Sequence, residues 1–504
     1  MRTQQQGLGK PIISTDFNDH KVVAVGNTVY FSKDWKFFTD FLSHYLKTKL
    51  DPEWGNEELA KAPEERHPIV QWYTAYCEFQ KKHEKQPDGT YSGEATGVFF
   101  CYLGLAYSLY LLDHNAELQE RYLQRLKRAD QFQGAYYELM VANCLIRSGF
   151  DLALEDETDE STKHCEFSAT SKRSGKKYWI EAKMRSVAGV LGKTKADGAP
   201  PTSKPTAQVT THINKAFEKP ADDERIIFVD VNTTPMKPED FSSGVPTPPK
   251  WMDAVEKQLS DKERDLIDGE RAYVFVTNMS FHLALDDTFR GQAAVPFGLG
   301  IPDYNKPGRY TFKEAWRNKQ KHLDMLSIEK ALTTYPQIPI TFGGDLPPTK
   351  PGDPKRLQIG DTCEFNDENG KAVVGTIVSA AVSEHEKRVT CVVREDDEKL
   401  HIHSEPITDD ELQIYRQHPE TYFGAIQRVT KNIESPYELF EHFVATYSAT
   451  PRERLLELAK DAPDLNVLSK LDHKELVLEL CERWAVSAQK MQKPAAEPVP
   501  KKAD

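Results

Sequence analysis

With 504 residues, 28% charged and 39% hydrophobic, the chain has the composition of an ordinary globular protein and is too long for a single core, so about three domains are expected. Its net charge of −13 argues against a surface built throughout for nucleic acid. No uninterrupted apolar run approaches the ~18 residues of a membrane span, the opening "MRTQQQGLGKPIIS" lacks a signal-peptide core, and the seven cysteines include no CxxC pair. Free thiols in a reducing cytoplasm are therefore expected, with neither a disulfide framework nor a cysteine zinc site.

Residues 20–33, "HKVVAVGNTVYFSK", predict a hairpin turning at Gly26-Asn27. The pattern is then helical to about residue 128, with breaks at "KLDPEWGNEE" and "EKQPDGTYSGEATG". A further helix, 131–150, closes on Gly149. Strands are expected at 150–154, 165–169, 178–184, 225–232 and 272–278, with helices near 206–219 and 249–267. That order predicts an α/β core with one mixed central sheet, preceded by a mainly helical region. After the proline-rich 343–356, short alternating runs and an Asn369-Gly370 turn predict a small antiparallel β-domain, followed by helices and a compositionally disordered tail. The expected domains are thus 1–130, 131–342, 357–407, 408–489 and the tail 490–504.

The segment "KKYWIEAKMR" alternates with period two: Tyr178, Ile180, Ala182 and Met184 on one face, Trp179, Glu181, Lys183 and Arg185 on the other. By itself the Glu181–Lys183 pair reads equally well as a solvated strand face. Two neighbours change its weight. On the 131–150 helix, Glu138 falls in the middle of the apolar stripe, with Asn143 and Arg147 opposite, and an uncompensated carboxylate there is costly. It requires a cation, a metal or a retained proton. Glu166 lies on a strand joined to Glu181 by the turn "SKRSGKK", at hairpin spacing. Three carboxylates converging with one lysine would make a hard oxygen site suited to Mg2+ or Mn2+. Around them, residues 161–195 hold nine Lys/Arg against Glu166 and Glu181, a basic island where a polyanion could dock.

A helix glutamate followed by Gly149-Phe150, an acid on one strand and "IEAK" on the next resembles the PD-(D/E)XK, or restriction-endonuclease-like, nuclease superfamily over about residues 131–280. The first strand acid is usually Asp there, and Glu166 departs from that by one methylene. The resemblance implies a divalent-metal-dependent endonuclease hydrolysing phosphodiesters, DNA rather than RNA, in bacterial defence or DNA processing. It assigns Glu138, Glu166 and Glu181 as catalytic metal ligands with the Ala182 carbonyl, and Lys183 as the group that positions water and stabilises developing charge. Lys172, Arg173, Lys176, Lys177 and Arg185 are expected to hold nucleic acid. The helical regions are expected to serve a homodimer or a protein partner. The alternative is a catalytically degenerate module that keeps the fold and binds nucleic acid or protein without cleavage. Elsewhere, His401 and His403 read as a surface pair, and "FGLGIPD" does not read as a phosphate cradle.

Overall fold

The computed structural model describes residues 6–83, 93–154, 166–193, 204–221, 223–235, 248–267, 269–288, 292–306, 309–342, 359–360, 362–366, 372–395, 399–417, 422–423, 433 and 435–492. The expected Asn369-Gly370 turn, the proline-rich break and the tail beyond residue 492 lie outside them. The chain divides into two compact units, Met1–Pro302 with Asp324–Arg428, and Asp303–Leu323 with Val429–Asp504. This division cuts across the expected boundaries, since the N-terminal helices and the central sheet share one unit.

That first unit opens with three antiparallel strands, β1 (Ile13–Phe17), β2 (His20–Val25) and β3 (Thr28–Ser32). The β2–β3 hairpin turns at Gly26 as expected. β1 was not foreseen; Asn18 and Asp19, both at positive φ, close its two-residue turn onto β2. Six helices follow: α1 (Phe38–Lys49), α2 (Pro52–Leu59), α3 (Pro68–Lys82), α4 (Gly97–Asn115), α5 (Glu120–Lys127) and α6 (Ala129–Arg147). The most apolar stretch of the chain is α4, buried along most of its length. Among the described residues no helix is long and apolar enough to cross a membrane. The first residue of α4, Gly97, leaves no room for a side chain: a Cβ there would lie 2.2 Å from the Ala284 carbonyl oxygen.

The central sheet has six strands in chain order: β4 (Phe150–Leu154), β5 (Phe167–Ser171), β6 (Lys177–Met184), β7 (Glu224–Asp230), β8 (Ala272–Thr277) and β9 (Ala294–Leu299). β4, β5 and β6 are antiparallel neighbours, β6–β7 and β7–β8 are parallel, and β9 returns antiparallel. The expected mixed sheet is present, with β9 added over the "FGLG" stretch. Helices α7 (Val209–Phe217) and α8 (Lys250–Arg264) make the parallel crossovers and pack Val209, Ile213, Val255 and Leu259 against Ile227, Val229, Val274 and Val276. α6 covers the opposite face, where Tyr137 meets Thr277 at 2.8 Å. Period-two alternation puts Thr277 on the side away from Val274 and Val276.

Two helices precede the β-domain, α9 (Phe312–Lys321) and α10 (Leu323–Thr333). On α10, Asp324 accepts hydrogen bonds from Ser171 (2.8 Å), Ser174 (2.6 Å) and Tyr178 (3.3 Å), tying it to the β5–β6 hairpin. The expected β-domain is a four-stranded antiparallel sheet, β10 (Thr362–Asn366), β11 (Ala372–Ser383), β12 (Arg388–Arg394) and β13 (Leu400–Pro406), followed by α11 (Asp409–Gln417). His401 pairs with Glu395 across its strand end.

The second unit packs α9 with α12 (Pro436–Tyr447), α13 (Arg452–Leu458), α14 (Leu465–Leu468) and α15 (His473–Gln492) around Phe440, Leu455, Leu468, Leu476 and Leu480. Lys313–Glu479, Arg317–Glu475 and Lys319–Glu441 ion pairs fasten α9 to α12 and α15.

One cap makes stability pH-dependent. His67 precedes Pro68 and accepts the Ile69 N–H on Nδ1 at 3.3 Å, while its own N–H donates to Glu58. Burial pushes the imidazole down to about 4 from 6.5. The unfolded chain therefore binds a proton over that window that the folded chain refuses, and stability falls as pH drops from 6.5 to about 4. At 1.36 kcal/mol per unit, about 3 kcal/mol is at stake. His67→Asn keeps a competent cap without the titration; urea unfolding at the two ends of that range is expected to show wild type losing about 3 kcal/mol more than the variant.

Candidate active site

The fold delivers three acids to the β5–β6 region from three separate elements. β6 supplies Glu181 and Lys183, opposite Ile227 and Val229 of β7 and hence on the face that α7 covers. Glu166 stands just ahead of β5, its N–H donating to the Ile180 carbonyl at 3.0 Å. α6 supplies Glu138, only 4% exposed.

Glu138 has the cation partner its position demands. Arg125, on α5, donates to it with two nitrogens, Nη1 to Oε2 at 2.9 Å and Nη2 to Oε1 at 2.6 Å. This bidentate geometry is the strongest form of such a pair. Burial and the nearby Glu166 nevertheless push Glu138 up to about 7, against Arg125 and Lys183. The helical wheel misjudged the opposite side, for α6 is buried all round. Asn143 donates to Ser108 at 3.2 Å, and Arg147 donates to the Ala331 carbonyl at 3.4 Å and to Thr334 at 2.9 Å.

Glu166 and Glu181 share two ammonium groups. Lys183 Nζ bonds Glu166 Oε1 and stands 2.9 Å from Glu181 Oε1. Lys219, just past the end of α7, lies 2.7 Å from Glu181 Oε2 and 3.6 Å from Glu166 Oε1. Burial works to raise both acids. For Glu166 the two lysines prevail and hold it below the ordinary glutamate range. For Glu181, whose side chain is only 3% exposed, burial prevails and the carboxyl is raised. Burial opposes the Lys183 charge, but the two carboxylates outweigh it and raise its pKa. His212 of α7 is depressed to about 4 by burial and by Lys183, so it stays neutral here. Its two ring nitrogens are buried without a hydrogen bond.

Three carboxylates thus face three cations, and the expected three-acid metal set is not assembled. Among the described residues no three His, Cys, Asp or Glu side chains gather closely enough to hold a metal ion. Glu138 is held aside by Arg125. Glu166 and Glu181 remain a pair of hard oxygen donors close enough to share a cation, since they already share Lys183. Ala182 lies between Glu181 and Lys183 in a part of β6 that the β5 ladder, ending at Phe167–Ile180, does not reach.

The basic island does not surround these acids. Lys172, Arg173, Lys176 and Lys177 form the tip of the β5–β6 hairpin; six residues at ~3.3 Å put Lys177 about 20 Å from Lys183. Lys172 pairs with Asp151 at 3.2 Å, Arg173 donates to Ser327 at 2.9 Å, and Lys177 sits 4.3 Å over the Trp179 ring. Arg185 is not a surface contact. It is buried and donates to the Val231 and Asn232 carbonyls at 2.6 and 2.8 Å. Lys163 and Lys195 fall outside the described residues. Sequence reasoning missed Arg125, Lys219 and His212. Only the cost of burying Glu138 signalled that a partner such as Arg125 must exist.

Removing that partner tests the pair directly. Arg125→Ala strands a buried carboxylate and is expected to cost about 3–5 kcal/mol in urea unfolding, whereas Arg125→Ala with Glu138→Gln recovers part of the loss. No family model, curated protein or solved structure matches this chain.

Proposed function

We propose that the chain is a divalent-metal-dependent nuclease whose centre is the Glu166–Glu181–Lys183–Lys219 cluster. The observation that carries the reading is the convergence, on the edge of one buried strand, of two carboxylates with two ammonium groups. The order α6, β4, β5, β6, α7, β7 supports it, because it follows the helix, three strands, helix and strand of the restriction-endonuclease-like arrangement. In this reading Glu166 and Glu181 hold Mg2+ or Mn2+, helped by the Ala182 carbonyl. The ion, when bound, would activate water and offset phosphoryl charge. Lys183 positions the attacking water and stabilises negative charge as it develops, and Lys219 adds a second cation on the same side. Glu138 and Arg125 act as a positioning pair that fixes α6 beside Glu166. The expected substrate is DNA. A duplex running from Lys183 to the basic hairpin tip would cover that ~20 Å with about six base pairs at 3.4 Å each.

One observation favours a second reading, a degenerate module that binds nucleic acid or a protein without cutting. Every acid of the cluster already has a cation, and no three-acid metal set is formed among the described residues. Incubation of plasmid DNA with Mg2+ or Mn2+ separates the two. Nicking or linearisation by wild type is expected, falling about a hundredfold or more in Lys183→Ala with the urea midpoint retained. Equal cleavage by both proteins removes the catalytic assignment; salt-dependent binding with no cleavage supports the module.

A further inference from the structure

Beyond the carboxyl ends of β6 and β8 opens a cleft of about 670 Å³, within the range of small-ligand sites. In open α/β sheets, ligands bind in the crevice outside those strand ends. Its walls include His67, His282, Gln71, Lys127 and Lys193, together with the tight loop Gly189–Gly192. Gly189, Leu191 and Gly192 all have positive φ, and a Cβ on Gly192 would lie 2.5 Å from the Ala129 carbonyl oxygen.

The two histidines leave complementary groups unused. His67 is 4% exposed; its Nδ1 accepts the Ile69 N–H, so Nε2 carries the proton and is buried without a partner. His282 is fixed the other way. Asn232 Nδ2 donates to the Arg185 carbonyl at 3.0 Å, which turns Asn232 Oδ1 toward His282 Nε2 at 2.9 Å. Nε2 therefore carries the proton, and Nδ1 is a bare acceptor, also buried without a partner. Burial pushes His67 down to about 4 and His282 to about 3, so both are neutral at pH 7. An idle donor and an idle acceptor on two residues that line one cleft each carry a desolvation cost that a matching ligand removes. Both atoms are buried, so binding requires these rings to shift.

The lip carries both signs. Lys61, Arg66, Lys127 and Lys193 stand with Glu58, Glu64 and Glu65. Glu58 is satisfied by Lys61 at 2.6 Å and by the His67 N–H. The cations outnumber the acids by one; Lys193, which donates to the Asp130 carbonyl at 2.7 Å, would turn with Lys127 to meet a phosphate, whereas Glu64 and Glu65 suit a ligand that also presents hydroxyl or amino donors. We propose that this cleft binds a nucleotide unit, its base edge against His67 and His282 and its phosphate against Lys127 and Lys193. The unit comes either from a free mononucleotide or from the end of a nucleic-acid strand.

Calorimetric titration of the full chain in EDTA with AMP, GMP, CMP, TMP, inorganic phosphate and a short single-stranded oligonucleotide tests this independently of cleavage. Binding of at least one mononucleotide or of the oligonucleotide is expected, with inorganic phosphate far weaker. The affinity should fall about tenfold or more, a loss of about 1.4 kcal/mol or more, in Lys127→Glu and in His282→Phe. Lys257→Glu, on the exposed side of α8 and away from the cleft lining, should leave it unchanged. A mononucleotide that the oligonucleotide does not compete away marks a free nucleotide as the ligand; binding by the oligonucleotide alone marks a strand end. No binding by any of these probes at millimolar concentration overturns the proposal, as does binding that both cleft variants leave intact or that phosphate reproduces. Because no metal is present, failure of the nuclease reading and failure of this one give different results.

Discussion

The sheet and its flanking helices are organised around buried charge that has to be compensated. Glu138 and Glu181 are 4% and 2% exposed, and a carboxylate at such depth is unstable unless a cation reaches it. The partners come from three places: Arg125 from α5, Lys183 from β6 itself, Lys219 from the chain leaving α7. α5 must therefore run close along α6, and α7 must end beside β6 before the chain enters β7. The hydrophobic contacts of α7 and α8 on Ile227 and Val229 fix the layer, while the ion pairs fix where along it the helix ends.

Much of this core was legible because strand periodicity survives in the sequence. β4 was anticipated at its observed bounds, and β6, β7, β8 and the closure of α6 on Gly149 lie within a residue or two of expectation. What alternation cannot report is what covers a face. Glu181 and Lys183 do lie on the opposite side of β6 from Ile180 and Ala182, but α7 closes over that side, so the face that alternation alone left open to solvent buries Glu181. On α6 the same limit applies to Asn143 and Arg147, which lie opposite the apolar stripe yet are buried, their polarity satisfied by Ser108, Ala331 and Thr334. Arg125 and Lys219 were illegible for another reason: they meet their partners across 13 and 38 residues, with nothing local to mark them. Glu166, at the right spacing, was found. The association of α9 with helices more than a hundred residues later left no local mark either, because an amphipathic stripe does not name its partner.

The carboxyl ends of β7 and β8 hold a second polar centre, built on different chemistry. Asp230 is fully buried and has no cation among its hydrogen-bond donors. Instead it accepts from the N–H groups of Asn232 (2.8 Å) and Met279 (2.7 Å) and from Thr277 (2.8 Å). Burial still lifts it to about 6, since neutral donors offset desolvation less well than a cation does. From Asp230 the network passes through Ser280 and Asn232 to His282 at the cleft wall. Arg185 and Gln133 join it from the other side, Arg185 through the Val231 and Asn232 carbonyls and Gln133 through those of Met184 and Arg185. These bonds lock the chain leaving β6, and so the direction in which the Gly189–Gly192 loop sets out.

Charge compensation also constrains how the proposed reaction could begin. With Arg125, Lys183 and Lys219 set against Glu138, Glu166 and Glu181, each carboxyl already has a cationic neighbour, while burial raises Glu138 to about 7. In the proposed function, a divalent ion between Glu166 and Glu181 would add two positive charges beside two ammonium groups, and in a site this buried such repulsion would be poorly screened. A phosphodiester brings negative charge that Lys183 or Lys219 can turn to meet. Under that proposal cation and nucleic acid would favour one another's entry, because each would correct the imbalance the other creates. Such coupling would follow from the same ion pairs that allow three acids to be buried here at all.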